Sequence, residues 1–120
     1  MSVAPRGPTH TEFQQQILEL AHAFGWRHLH VRRSIGKGHK WTTTTNLKGW
    51  PDLLIFRPDR GYVAAELKIP PDKATPEQAE LLAYLATMPS TVAKLWTPAD
   101  WDDIQATLAV RRRRSDLINA

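Results

Sequence analysis

Three side chains near the middle of the chain have the types and spacing to do chemistry together: Asp52, Glu66 and Lys68. They lie at the ends of two apolar runs, Leu53-Leu54-Ile55-Phe56 and Tyr62-Val63-Ala64-Ala65, separated by the turn-rich Arg57-Pro58-Asp59-Arg60-Gly61. Such runs on either side of a Pro/Gly turn predict a β-hairpin. Alternate residues of a strand share a face, so Glu66 and Lys68 point one way and Leu67 the other. A hairpin sets the start of its first strand beside the end of its second, which brings Asp52 close to Glu66 and Lys68. The two carboxylates are hard oxygen ligands suited to Mg2+ or Mn2+, and the peptide carbonyl of Leu67 is a candidate third ligand. An ion held in this way polarises phosphate and lowers the pKa of bound water, while the Lys68 ammonium stabilises charge on the phosphate or orients the attacking water. A simple salt bridge explains the cluster poorly, because exposed pairs contribute only about 0–1 kcal/mol.

With no cysteine in the chain, a metal must be held by oxygen or histidine. His22, His28 and His30 have no carboxylate at ligand spacing and read as surface or strand-edge residues. At 120 residues the sequence is expected to form one domain over 1–120, with 1–8 as a flexible arm and 111–120 as a basic tail. No apolar run reaches the roughly 20 residues that span a bilayer, so an intracellular protein without membrane contact is expected. The net charge of +4 is unevenly spread. Residues 1–49 carry seven Lys/Arg against two Glu, residues 50–110 five against nine acids, and the last ten residues four Arg against one Asp. Basic ends around an acidic middle suit a protein that grips a polyanion while keeping carboxylates for a cation.

The elements that must position the cluster follow from periodicity. Thr9 or Thr11 can cap a helix to about Phe24, with Phe13, Ile17, Leu20, Ala21 and Phe24 on one stripe and Gly25 as its stop. Trp26 to Arg33 reads as a strand with alternating residues, though neither face is cleanly apolar. Residues 34–49 form a long basic loop in which Lys37, His39, Lys40 and Lys48 with Trp41 suit phosphate contacts and base stacking. Thr42 to Thr45 could add a short edge strand. Thr75-Pro76-Glu77-Gln78 starts a helix to about Met88, with Gln78 at the capping-box position and Leu81, Leu82 and Leu85 inward. A buried strand at Val92–Trp96 and a last helix from Thr97-Pro98 to about Val110 follow. Arg111 and Arg112 begin an arginine run that exceeds what a helix dipole needs and fits a phosphate backbone. The second helix supplies a right-handed crossover returning Val92–Trp96 parallel to the sheet. The predicted fold class is therefore α/β, a mixed sheet flanked by helices.

Gly49-Trp50-Pro51-Asp52, Glu66-Leu67-Lys68 and the Thr-Pro-x-Gln that opens the second helix resemble the PD-(D/E)XK nucleases, and more narrowly their VRR-NUC branch of stand-alone viral and phage-type proteins related to Holliday-junction resolvases. The resemblance covers roughly residues 10–110. It implies a restriction-endonuclease-like αβββαβ(α) core and a Mg2+- or Mn2+-dependent endonuclease that hydrolyses phosphodiester bonds in branched DNA. It makes Asp52 and Glu66 metal ligands, Lys68 the catalytic amine, and Gln78 a residue that positions water, metal or Lys68, beside its local reading as a cap. Glu12 resembles the first-helix acid that many members add to the metal shell, although a first-turn Glu also complements the helix dipole. Arg32 and Arg33 become candidate contacts to the DNA backbone. The family further implies a homodimer, for which five tryptophans leave several available at an interface, and, for a phage protein, the cytoplasm of the host cell. The rival expectation is a non-catalytic DNA-binding accessory protein on the same fold.

Overall fold

The stripe on the first helix decides which way it lies on the sheet. In a computed structural model, residues 7–30, 33–35, 41–43 and 47–110 are described, with the backbone alone at 33–35 and 41–43. Helix α1 (His10–Ala23) opens with a complete capping box between Thr9 and Glu12 and buries Phe13, Ile17 and Ala21. It is followed by β1 (Arg27–His30), β2 (Arg33–Ile35), β3 (Trp41–Thr43), β4 (Leu53–Arg57) and β5 (Gly61–Leu67). Helix α2 (Pro76–Leu85), strand β6 (Thr91–Trp96) and helix α3 (Trp101–Leu108) complete the order, a 3-10 turn at Pro98–Asp100 leading into α3.

The main sheet runs β1-β4-β5-β6, antiparallel at β1/β4 and β4/β5 and parallel at β5/β6. This is the mixed sheet of an α/β domain, and the parallel pairing is possible because α2 intervenes between β5 and β6. Alternation assigns the faces. Leu53 and Ile55 of β4, Val63, Ala65 and Leu67 of β5, and Trp96 of β6 pack with Phe13, Ile17 and Ala21 of α1 and Ile104 and Leu108 of α3 in one core. Glu66 points to the opposite side, where its partner is Gln78 of α2. Helices thus flank both faces of the sheet.

Several sequence expectations need correction. The strand expected over Trp26–Arg33 ends at His30; Arg33–Ile35 pairs instead with Trp41–Thr43 in a separate antiparallel ribbon. Of the edge strand expected at Thr42–Thr45, Thr42 and Thr43 belong to that ribbon and not to the main sheet, and Thr44 and Thr45 lie outside the described residues. Helix α2 stops at Leu85 rather than Met88. The strand at Val92–Trp96 is not buried throughout: it is the sheet's outer strand, and of its residues only Trp96 is buried. Two of the tryptophans counted for an interface are committed to the core. Trp26 and Trp96 lie in the core and Trp50 and Trp101 are half-buried. The apolar residues left in solvent include Leu29, Tyr62, Tyr84 and Leu95.

Each buried indole has a polar partner, as its N–H requires. Trp26 Nε1 donates to the Leu108 carbonyl at 2.9 Å, tying the entry of β1 to the end of α3. Trp96 Nε1 donates to Asp103 Oδ2 at 2.9 Å, and Lys94 Nζ lies 3.1 Å from the same oxygen. The indole hydrogen bond first, and Lys94 second, hold the Asp103 carboxyl below its ordinary value of 3.8. A carboxyl depressed on folding stabilises fully above its unfolded pKa and loses that contribution as the pH falls through the folded value. Asp103→Ala, which orphans the indole donor, should lower the unfolding free energy by about 1–3 kcal/mol. Urea denaturation at neutral pH measures this, and the gap between wild type and Asp103→Asn should shrink on acidification below 3.8.

Candidate active site

The register of the central hairpin brings the carboxylates together. Leu53 pairs with Ala65, so the next antiparallel step sets Asp52 opposite Glu66. Gly61, at φ +83, closes the turn and approaches the Ser90 carbonyl oxygen so closely that an added Cβ would fall 2.0 Å from it. That approach accompanies a hydrogen bond from Tyr62 N to Ser90 O at 2.8 Å, which anchors β5 beside β6.

Asp52 is 8% exposed and Glu66 1%. Burying a carboxylate is costly unless its oxygens are bonded, a condition that Asp52 Oδ2 and Glu66 Oε1 meet. Asp52 Oδ2 accepts from the Leu67 backbone N–H at 2.9 Å, which locks the acid to the strand that carries Glu66 and Lys68. Glu66 Oε1 accepts from Gln78 Nε2 at 3.0 Å and lies 3.4 Å from Lys68 Nζ. The Lys68 side chain is itself mostly buried, so its ammonium is held at the cluster.

Gln78 fills its expected role as a cap and also meets Glu66. Its Oε1 accepts from Thr75 N at 2.9 Å and its backbone N–H donates to Thr75 Oγ1 at 3.2 Å, completing the capping box of α2. With the carbonyl end committed to the cap, the amide NH2 faces Glu66. Gly49 sets how closely this helix turn approaches: at φ +86, a Cβ there would lie 2.7 Å from the Glu77 carbonyl and 2.9 Å from Gln78 N. Gly49→Ala should therefore cost more than the ~1–2 kcal/mol of a left-handed backbone alone, read as a lowered thermal midpoint together with a shifted Gln78 side-chain amide resonance.

Helix α1 contributes a residue that the sequence reading passed over. Glu12 is exposed, and its Oε1 accepts from Thr9 N at 3.1 Å in the N-terminal capping box. The α1 side chain that reaches the site is His10, whose Nε2 lies 3.3 Å from Asp52 Oδ2. A signal for it existed: positions 10, 13 and 17 share one helical face, so His10 extends the Phe13/Ile17 stripe while Glu12 falls beside it. The hydrogen bond to Asp52 is the largest influence raising the His10 pKa above 6.5, followed by partial burial, which opposes it, and then attraction to Asp52 and Glu66. A histidine raised on folding stabilises below its unfolded pKa and loses that contribution as the pH rises through the folded value. In the metal-free protein, the His10 ring should titrate above 6.5 by NMR, and Asp52→Asn should lower its midpoint.

Of the candidate nucleic-acid contacts, Lys48 is exposed, with Nζ 3.5 Å from Glu77 Oε1 at the N-terminus of α2. Arg33 and Trp41 are placed by backbone only, in β2 and β3. Arg32, Lys37, His39, Lys40, Arg111 and Arg112 lie outside the described residues. His28 and His30 sit at the edge strand with their rings stacked 6.3 Å apart.

Among the described residues, no three His, Asp or Glu side chains already form a group that could hold a metal ion. Mg2+ commonly takes only one or two protein carboxylates, the other positions going to water and substrate phosphate. Asp52, Glu66 and the Leu67 carbonyl match that sparse, all-oxygen donor set. Among the described residues, no helix is long and apolar enough to cross a membrane.

The fold and site define an α/β domain with two buried carboxylates, a lysine and a glutamine converging at one end of a mixed sheet. Compared with protein-family models, curated proteins and solved structures, the chain matches none.

Proposed function

We propose that the chain is a metal-dependent endodeoxyribonuclease of the PD-(D/E)XK type, on a restriction-endonuclease-like core, acting on branched DNA. The observation that carries this reading is the bonded cluster in which Gln78 and Lys68 both reach Glu66 while Asp52 is fixed to the Leu67 amide. A protein that only bound DNA would have no need to bury two carboxylates beside a lysine. The arrangement suits phosphodiester hydrolysis better than a passive salt bridge, since burying charge in one place costs stability rather than adding it.

Asp52, Glu66 and the Leu67 carbonyl would hold Mg2+ or Mn2+, which supplies Lewis acidity toward a phosphate oxygen and makes water more acidic when bound. Lys68 stands where it can stabilise negative charge on the phosphate undergoing attack. Gln78, fixed at its carbonyl end by Thr75, holds the Glu66 carboxylate in orientation. Restricting each group before substrate arrives lowers the reorganisation the reaction requires. A homodimer, as paired cuts in a junction need, is supported by the sheet face away from the main core. Leu29 pairs with Leu54 and Phe56 with Tyr62 on that face, and Leu29 is 56% exposed.

The test is cleavage of a labelled four-way junction, with flap, single-strand and linear duplex DNA alongside, in Mg2+ or Mn2+. Asp52→Asn, Glu66→Gln and Lys68→Ala should each lower the cleavage rate by ~100-fold or more while circular dichroism shows a folded chain. Junction binding by wild type with no product in either metal would overturn the enzyme in favour of a DNA-binding accessory protein.

A further inference from the structure

The strand register lines residues up in rows across the sheet. At the turn end of the hairpin one row runs Arg27, Phe56, Tyr62 and Thr91 across β1, β4, β5 and β6. Residues opposite one another in register share a face, so this row looks out on the side away from the α1/α3 core. It stands four positions along the strands from Asp52 and Glu66, roughly 13 Å at ~3.3 Å per residue, and is separate from the candidate active site. Phe56 and Tyr62 form a tilted ring pair with centroids 6.0 Å apart. Tyr62 is 47% exposed, so its ring has area left for a third aromatic plane.

Both rings line a cavity of about 460 Å3 with Arg57, Asp59, Arg60 and Ser90, a volume within the range of small-ligand sites. Its basic groups are held in place. Arg57 Nε donates to Asp59 Oδ1 at 2.6 Å and its Nη1 to the Phe24 carbonyl, and Arg60 Nη2 donates to the Ala109 carbonyl at 3.0 Å. A guanidinium has more N–H donors than these bonds use, and the remainder can meet phosphate oxygens. Ser90 adopts φ +54, a left-handed conformation that few residues with a side chain take and that collects at binding sites. In that conformation its carbonyl accepts from Tyr62 N at 2.8 Å, which fixes the backbone beneath the exposed ring.

We infer that this cavity binds an unpaired nucleotide, its base stacked on Tyr62 and its phosphate on the Arg60 guanidinium, with Arg57 adding charge. Exposed aromatics beside arginines hold unpaired bases because every base has a π-face. A base inside a duplex is covered on both sides, so the site separates single strand from duplex. A second copy of the chain is the poorer occupant. Across a two-fold contact the row would bring Arg27 and Arg60 toward their own counterparts, a like-charge arrangement that disfavours association. The adjoining Leu29 and Leu54 carry no charge and suit the copy contact proposed above. The inference does not rest on the nuclease reading, since it needs neither metal nor cleavage.

The test uses the full chain in EDTA, which excludes metal and cleavage. The probes are a short labelled single strand of deoxyadenosine, a blunt duplex of the same length, and free deoxyadenosine monophosphate. Anisotropy gives the affinities, and NMR follows the Tyr62 and Phe56 ring protons. Wild type should bind the single strand more tightly than the duplex, with upfield shifts at the Tyr62 ring. Tyr62→Ala should weaken the single strand about fivefold or more, the scale of one lost stacking contact, and change the duplex less than about twofold. Tyr62→Phe, which keeps the ring, should stay within about twofold of wild type. Arg60→Ala should lower the affinity and reduce its salt dependence by roughly one ion. Ring shifts with the monophosphate that no strand displaces assign the site to a free nucleotide, and shifts with the strand assign it to an unpaired stretch of nucleic acid; either supports the site. No ring shift with either probe, equal losses for strand and duplex, or Tyr62→Phe as weak as Tyr62→Ala would overturn it. A change of oligomeric state in Tyr62→Ala with single-strand affinity unchanged would also overturn it, giving the row to a second copy. Asp52→Asn, Glu66→Gln and Lys68→Ala should leave this binding intact, so the two readings fail separately.

Discussion

The pairing of Leu53 with Ala65 is the constraint on which the site depends. A slip of one residue would turn Asp52 or Glu66 to the wrong face and bury charge against the α1/α3 core. Several independent features pin that register. Leu53, Ile55, Val63, Ala65 and Leu67 must all face one core, and Gly61 sets the turn. Asp52 then adds a bond across the strand ends, to the Leu67 amide. The same hydrophobic alternation that buries the sheet therefore aims the polar side chains at its end.

On the other face, α2 links folding to the carboxylate cluster through a single amide. The capping box needs the carbonyl oxygen of Gln78 for the Thr75 amide, and that choice leaves the NH2 group for Glu66. Helix initiation and support of a buried carboxylate are satisfied together, so removing either partner disturbs both. Gly49 lies in the same contact: the chain entering Asp52 passes so near the first turn of α2 that only a residue without Cβ fits. The loop before Asp52 and the helix bearing Gln78 are thereby fixed to one another.

The hairpin, the second-helix cap and the mixed sheet were legible because each has a local cause. Alternating apolar residues around a Pro/Gly turn specify a hairpin, and Thr-Pro-x-Gln specifies a helix start whatever lies around it. The ends of elements were harder to read. Strand β1 ends at His30, and Arg33–Ile35 pairs instead with Trp41–Thr43 in a separate ribbon, a choice of partner that strand periodicity does not specify. The outer position of β6 was illegible for the same reason: an apolar run does not say whether a strand will have a second neighbour.

The sequence by itself determined which residues could do chemistry and that Asp52, Glu66 and Lys68 would meet, because strand alternation and a short turn leave little freedom. Only the tertiary structure decided what else joins them. Glu12 and His10 lie two positions apart on α1, and the acid was the natural candidate by residue type. The packing angle of α1, set by Phe13 and Ile17 against the sheet, presents His10 to Asp52 and leaves Glu12 at the helix cap. Helical periodicity identifies the stripe on which His10 lies, but the residue that the end of the stripe meets depends on where two elements dock. Docking is a global balance of burial that no local spacing encodes.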